Sequence, residues 1–506
     1  MWGQGRCGPD KENRMTHAQM LLEGGTVLVD NDRFAALSLL ISDGRIKALI
    51  PDGEGPGDAE RIDVSNRLIM PGLVNGHTHS HGALGRGGVP DDLPLEAFLS
   101  GGAWLNGTRH LDDLHLSAQL SAVELVRKGC TACFDLFVEL PGPTMGGIHA
   151  VANAYHDVGI RAVVAPMIAD RTLYQALPGL IEAFDPPLRD AVAALSLPAW
   201  QTIMETCTEA FGHWPVPKDR VRPGIGPTIP LHCSDAFLQA CAALSQRDGI
   251  PLQTHLAETR LQQVMAAQRY GTSLTEHLDA LGVLHPQFSG AHGVWLSKPE
   301  AELLARHDAC ICHNPLSNLR LGSGIAPVRM LADAGVNLGV GTDASNTSDG
   351  QNMFEAMRLA ATLSRAQTSD PAAWISTRSA LKMATEGSAR ILGLDRVGKI
   401  AAGWAADLLF LDAGYCHYTP LRNPLDQMVL AENGAALREV MIAGRYVLAN
   451  DTILTLDEGA LAARARDVAA RLDGANAATR LMNEAAALVV QSFCRGNCDG
   501  YATRLG

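Results

Sequence analysis

His77-Thr-His79 closes an apolar run, Leu68-Ile-Met and Leu73-Val74, that reads as a buried strand. Alternation along a strand puts the two rings on one face, and two imidazoles side by side suit a metal ion. Such a pair is common without any chemistry, so its meaning depends on partners elsewhere in the chain. In order come His255-Leu-Ala-Glu258, Gly290-Ala-His292 and Gly341-Thr-Asp343, each at the end of a short apolar run. A catalytic zinc takes about three imidazole or carboxylate ligands and keeps a position for water. His77, His79, His255 and Asp343 are the expected ligands of one divalent ion, zinc first, with iron(II) or manganese(II) also compatible. Such an ion lowers the pKa of its water toward neutrality. Glu258, just past the strand end, is close enough to move protons without ligating, and His292 is placed to hold or deprotonate the water. The expected catalytic groups are therefore Glu258, His292 and Asp343.

These residues need strands that end together. Strand-like runs continue at Thr131–Leu136, Arg161–Pro166, Val221–Cys233, Pro251–His255, Phe288–His292, Ala309–His313 and Val336–Asp343, separated by amphipathic helical stretches such as Leu116–Lys128. With the first strand this makes roughly 40 residues per strand-helix unit, which predicts an α/β fold, a (β/α)8 TIM-like barrel over residues 71–394. Functional side chains in that architecture lie at the C-terminal ends of the strands, where all five chemical residues fall. Residues 178–220 are long for one connection and predict a helical insertion near the mouth, a candidate lid. Short strands with turn signals at both ends of the chain predict a small β-sandwich accessory domain from residues 18–70 and 395–455. Residues 1–17 are expected to be a disordered extension, and 456–506 a C-terminal helical tail.

Composition narrows the partners. The 506 residues are 47% hydrophobic, with 41 basic against 54 acidic side chains, a net charge of −13. No basic run offers a footprint for nucleic acid or an anionic membrane, and no stretch is apolar enough for a signal peptide or a bilayer span. The 11 cysteines are scattered and odd in number, which predicts reduced thiols in a cytoplasmic protein. Cys494-Arg-Gly-Asn-Cys498 is isolated and reads as incidental. His81 reads as a loop residue past the strand. His313 ends a strand where holding the loop and touching substrate are equally open.

The joint set, with His313-Asn-Pro-Leu-Ser-Asn318, Ser323-Gly-Ile-Ala-Pro-Val and Gly398-Lys-Ile-Ala-Ala-Gly-Trp-Ala-Ala-Asp-Leu, resembles the amidohydrolase superfamily from Thr26 to about Leu448. The resemblance is to its mononuclear branch of deaminases and chlorohydrolases, including guanine, 8-oxoguanine and methylthioadenosine/S-adenosylhomocysteine deaminases and triazine hydrolases. It implies attack by metal-held hydroxide on an sp2 carbon of an aminated N-heterocycle, with release of ammonia and Glu258 shuttling protons. Dechlorination or dealkylamination of a triazine-like ring, or cyclic amide hydrolysis, is the alternative, and a scaffold without catalysis is disfavoured by the complete ligand set. One metal is implied, because Gly226–Ser234 lacks the lysine that bridges two metals in binuclear relatives. Two departures disfavour a nucleoside: Thr228 stands where the nucleoside deaminases carry a substrate-contacting histidine, and Gly107 where they carry a ribose-binding glutamate. A free purine or pyrimidine base, pterin or triazine is expected instead. Trp104, Thr228, His232 and Asn318 are candidate pocket walls, and a homodimer or larger homo-oligomer is expected from the resemblance.

Overall fold

The computed structural model describes residues 19–348 and 350–505, the side chains of 499–505 excepted. The extension expected at 1–17 lies outside the described residues. Eight parallel strands position the site: β1 Leu73–Thr78, β2 Cys130–Phe137, β3 Arg161–Ile168, β4 in two pieces at Val221–Pro223 and Gly226–Pro227, β5 Leu252–Leu256, β6 Phe288–His292, β7 Cys310–His313 and β8 Asn337–Val340. They form two parallel sheets, β1 to β4 and β5 to β8. The sheets meet at both edges. Ile225 bridges Leu252, and the His255 N–H donates to the Thr228 carbonyl at 2.9 Å. On the other side the Asp343 N–H donates to the His77 carbonyl at 3.0 Å, and Asn75 Nδ2 to Thr342 Oγ1 at 2.7 Å. Val74, Ala132, Phe134, Val163 and Cys312 fill the interior. These strands carry near-continuous apolar runs because both faces are covered, by this interior and by the surrounding helices.

The helix expected over Leu116–Lys128 begins earlier. Helix α2 spans Leu111–Arg127, and helix α1 before it spans Leu95–Gly101. His110 and Asp113 make a reciprocal cap at the N-terminus of α2, which carries the helix five residues upstream of its apolar stripe. In the insertion, Pro186–Ala193 and Trp200–Gly212 are helical as expected. Trp200–Gly212 packs beside helices Met145–Val158 and Asp235–Asp248.

Strands from both chain ends join in one ten-stranded ladder. Arg67–Pro71 is its hinge with the barrel, pairing with Leu408–Asp412 from residue Pro71↔Leu408 to Arg67↔Asp412. Facing side chains of this ladder, among them Leu22, Val27, Leu39, Ile69, Phe410 and Met441, form their own apolar cluster. Gly72 then carries the chain straight into β1. A Cβ there would lie 2.0 Å from Thr131 Oγ1, so only glycine lets the strand pass β2. The Arg161 guanidinium pairs with Asp407 at 2.7 and 3.2 Å, tying β3 to the ladder. The pair is nearly buried, and removing one partner of such a pair costs about 3–5 kcal/mol.

The C-terminal region is two helices, Glu458–Ala475 and α3, Ala477–Leu505. Asn476 between them donates from Nδ2 to the Gly107 carbonyl at 3.1 Å and accepts from Thr108 Oγ1 at 3.1 Å. α3 then packs along α1. Among the described residues, no helix is long and apolar enough to cross a membrane.

Candidate metal centre and active site

Three imidazoles at the strand ends are each fixed from behind. His79 Nδ1 lies 2.6 Å from the Leu136 carbonyl, and His255 Nδ1 contacts the Thr228 carbonyl. A carbonyl only accepts, so both Nδ1 atoms carry the proton. His77 Nδ1 lies 2.7 Å from Gln253 Oε1, and the Gln253 amide is oriented by its Nε2, which donates to the Gly76 carbonyl at 3.0 Å. All three Nε2 atoms therefore present lone pairs, and they converge. His255 Nε2 is 3.2 Å from His79 Nε2, and His77 Nε2 is buried with no partner. Asp343 Oδ1 stands 3.1 Å from His79 Nε2 and 3.6 Å from His77 Nε2. Lone pairs held this close repel unless a cation lies between them, and backing each imidazole with an acceptor is how proteins build metal ligands. The donor set fits a divalent ion.

Electrostatics separates the carboxyls. Burial alone would push Asp343 up, but the His77 and His79 rings hold it well below the usual range, so it is a carboxylate. Burial drives Glu258 the other way, well above its usual range, and the charges of Asp343 and Glu96 add to this. Glu258 Oε1 is buried without a partner. Its Oε2 is 3.6 Å from His292 Nε2. Burial pulls His292 down to about 3, so the ring is neutral. Its Nδ1 meets Asn318 Oδ1 at 2.8 Å, which leaves the Nε2 lone pair facing Glu258. Ala257, His292 and Asp343 all take positive φ, at 49°, 75° and 64°. Left-handed backbone in three non-glycine residues at one site is strain that the surrounding fold over-determines.

A cavity of about 200 Å³ opens over this cluster, reaching His79, His255, Glu258 and Asp343 at its floor. Leu95, Phe98 and Leu99 of α1 form one wall, and Val138, Leu140 and Met167 another. A smaller cavity of about 160 Å³ adjoins it across Thr228, Met167 and Val138, with Leu197 and Ile203 of the insertion on its far side. Of the candidate walls, Thr228 lines both cavities and His232 only the smaller one. Trp104 lines neither: it is 3% exposed, packed among Val89, Leu95, Phe98, Leu105 and Leu321, with Arg480 over its ring. Its apolar neighbours on α1 and in the following turn outcompete the cavity for the indole. Asn318 also falls outside the lining and acts on His292 instead. His313 is buried, with both ring nitrogens unpartnered.

The strands bring together every expected ligand and proton-transfer group. Gln253 joins them unexpectedly, although its place two residues before His255 on the same strand face is a signal that could have found it. His81, expected as a loop residue past the strand, stands in the turn Ser80–Gly85 and lines the main cavity beside His79, ring centroids 5.3 Å apart. Gly107 is not an open position, since a Cβ there would lie 2.7 Å from Asn476 Oδ1.

The sequence model of the amidohydrolase family matches residues 68–447. A 5'-deoxyadenosine deaminase of Methanothermobacter thermautotrophicus is 33% identical over 466 residues, covering 91% of this chain and 100% of the relative. A 5-methylthioadenosine/S-adenosylhomocysteine deaminase of Syntrophobacter fumaroxidans is 30% identical over 462 residues, 90% of this chain and 98% of the relative. Among solved structures, a zinc-bound adenosine deaminase from Xanthomonas campestris superposes with a TM-score of 0.79 at 27% identity, covering 90% of this chain and 99% of that one. The zinc complex of an atrazine chlorohydrolase from Arthrobacter aurescens gives 0.79 at 25% identity, with 89% and 100% covered.

Proposed function

The chain belongs to the amidohydrolase family, and from that premise we propose that it is a mononuclear deaminase of a compact aminated N-heterocycle, purine-like or pterin-like, that carries no ribose. Its relatives make it a hydrolase of carbon–nitrogen bonds other than peptide bonds, dependent on one divalent metal, which is zinc in its structural neighbours. We read residues 71–394 as one (β/α)8 barrel, 18–70 with 395–455 as a composite β-sandwich, and 456–506 as a helical tail.

His77, His79, His255 and Asp343 would hold the ion, which when bound supplies Lewis acidity and an activated water. Glu258 supplies the proton. Its carboxyl, pushed up by burial, lines the cavity, and in its protonated form it donates to the ring nitrogen beside the amino-bearing carbon, which makes that carbon electrophilic. Asp343 Oδ1 and His292 Nε2 are placed to take the proton that the attacking water loses. A second proton delivered through Glu258 lets the amino group depart as ammonia, and the ring keeps an oxygen in its place. α1 and the apolar walls keep bulk water from the ring. The observation that carries this reading is the buried, unpartnered Glu258 carboxyl at the edge of a converging histidine–aspartate cluster.

The absence of ribose rests on the Gly107 position, which Asn476 closes against an acidic group for sugar hydroxyls. The names of the relatives favour an adenosine-like substrate instead. An ammonia-coupled screen of the zinc-loaded protein against purines, pyrimidines, pterins and amino-triazines, with adenosine and 5'-deoxyadenosine alongside, separates the two. Turnover of a free ring above its nucleoside is expected, and the reverse order rejects the ribose-free reading. Chloride or alkylamine release from a triazine without ammonia from any ring would establish the second reading, which the likeness to the chlorohydrolase supports.

A further inference from the structure

Asp343 differs from the other expected ligands in being a short carboxylate on left-handed backbone, φ 64°, just past the end of β8. A non-glycine residue stays in that conformation only where its surroundings hold it there. Its carbonyl shows what holds it. Thr78 Oγ1 lies 3.0 Å from that carbonyl oxygen and Thr342 Oγ1 3.2 Å from it. A carbonyl only accepts, so both hydroxyl protons point at it, and each hydroxyl oxygen is left to accept from behind. Gln351 Nε2 donates to Thr78 Oγ1 at 2.8 Å, and Asn75 Nδ2 to Thr342 Oγ1 at 2.7 Å.

Two chains of amide, hydroxyl and carbonyl therefore converge on one oxygen. Gln351 is itself fixed at both ends. Its Oε1 accepts from Ser121 Oγ of α2 at 3.0 Å, and its N–H donates to Glu124 Oε1 of the same helix at 3.1 Å. Asn75, Thr78, Ser121, Thr342 and Gln351 are all fully buried, so no water stands in for a lost partner.

The hold on the carbonyl reaches the carboxylate through one planar unit. The Asp343 carbonyl and the Ala344 N–H belong to the same trans peptide and point in opposite directions. Pinning the carbonyl aims the N–H, which donates to Asp343 Oδ1 at 2.7 Å. That oxygen is the one 3.1 Å from His79 Nε2.

We propose that Gln351 and Asn75, acting through the Thr78 and Thr342 hydroxyls, are positioning residues that turn the Asp343 carboxylate toward the histidines. This rests on the ligand set given above and adds to it residues that touch neither ion nor substrate. Gln351 and Thr78 act in series, so losing either one releases the same restraint.

The test reads zinc affinity by competition with a chelator and ligand geometry by the visible absorption of the cobalt(II)-loaded protein, with urea unfolding of the metal-free protein alongside. Gln351→Leu and Thr78→Val are each expected to weaken zinc binding by at least about tenfold and to shift the cobalt spectrum. Thr78→Ser keeps the hydroxyl and should stay within about twofold of the parent. The double variant Gln351→Leu/Thr78→Val should lose no more than about twofold beyond the larger single loss. If Thr78→Val fails to fold, Gln351→Leu alone decides. Zinc affinity and cobalt spectrum unchanged in Gln351→Leu, whatever happens to its unfolding, overturn the proposal. So does a loss in Thr78→Ser as large as in Thr78→Val, or a double variant in which the two losses multiply. Asp343→Ala keeps the two readings apart: full zinc affinity there removes Asp343 from the ligand set and overturns both, whereas zinc loss there with unchanged affinity in Gln351→Leu overturns the positioning role alone.

Discussion

The two faces of the main cavity are built by different means. On the metal side, His77, His79, His255 and Asp343 project from strand ends, and each imidazole has an acceptor behind it: Gln253 of β5 across the barrel, the Leu136 carbonyl of the neighbouring β2, or the Thr228 carbonyl of the loop after β4. On the opposite side, Leu95, Phe98 and Leu99 come from a seven-residue helix that belongs to no strand and is held in place by α3, nearly 400 residues later. Strand register fixes the first face and long-range packing fixes the second. Chemistry is thus set by the rigid part of the fold, and substrate choice by the part that can vary at least cost to it.

The metal side should break hardest. His255→Ala is expected to abolish activity and bound metal together, read by metal analysis of protein purified without chelator; full occupancy in that variant would remove His255 from the ligand set. Glu258→Gln should keep its metal and lose turnover by at least about a hundredfold, and near-normal kcat would reject its proton-transfer role. Gln253→Leu tests the support behind His77. Metal affinity should weaken by about 10–100-fold, and unchanged affinity in a competition with a chelator would show that the strand alone orients the ring.

The opposite face should yield less. Asn476→Ala leaves the Gly107 carbonyl and Thr108 without their partner, so a loss of about 1–3 kcal/mol in thermal or urea unfolding is expected with metal content intact. A drop in metal content would show that the two faces are not independent. The smallest effect belongs to Glu96 on α1, which accepts from Thr259 Oγ1 beside Glu258. Burial raises its carboxyl despite that bond, so the folded chain binds this proton more tightly than the unfolded one. Its contribution is fully favourable below the ordinary glutamate value of about 4.3 and declines as pH rises through the raised folded value. Glu96→Gln should therefore gain in Tm relative to the parent between acid and neutral pH, and a difference that does not change with pH would contradict the sign.

The same division governs what is legible without coordinates. The ligands, Glu258 and His292 are legible because each closes an apolar run, and the alternation of strands carries side-chain direction in the sequence itself. The ladder joining both chain ends is legible as short strands with turns, although not its order. The Leu136 and Thr228 carbonyls that fix His79 and His255 leave no trace in residue type, because every residue has a carbonyl. Trp104 reads equally well as stacking platform or core, and only the position of Leu321 and Arg480 decides for core. His81 is opaque to sequence reasoning because a strand's alternation stops where the strand stops, and its place depends on the Val138 N–H of another loop.

Arg67–Pro71 has a consequence in time. It pairs on one side with Thr26–Val29, made just before it, but on the other with Leu408–Asp412. At about 5–20 residues per second of synthesis, the second partner emerges tens of seconds later. Until then the strand that leads into His77 and His79 keeps an open apolar edge on the ribosome, the kind of edge that recruits chaperones or other nascent chains.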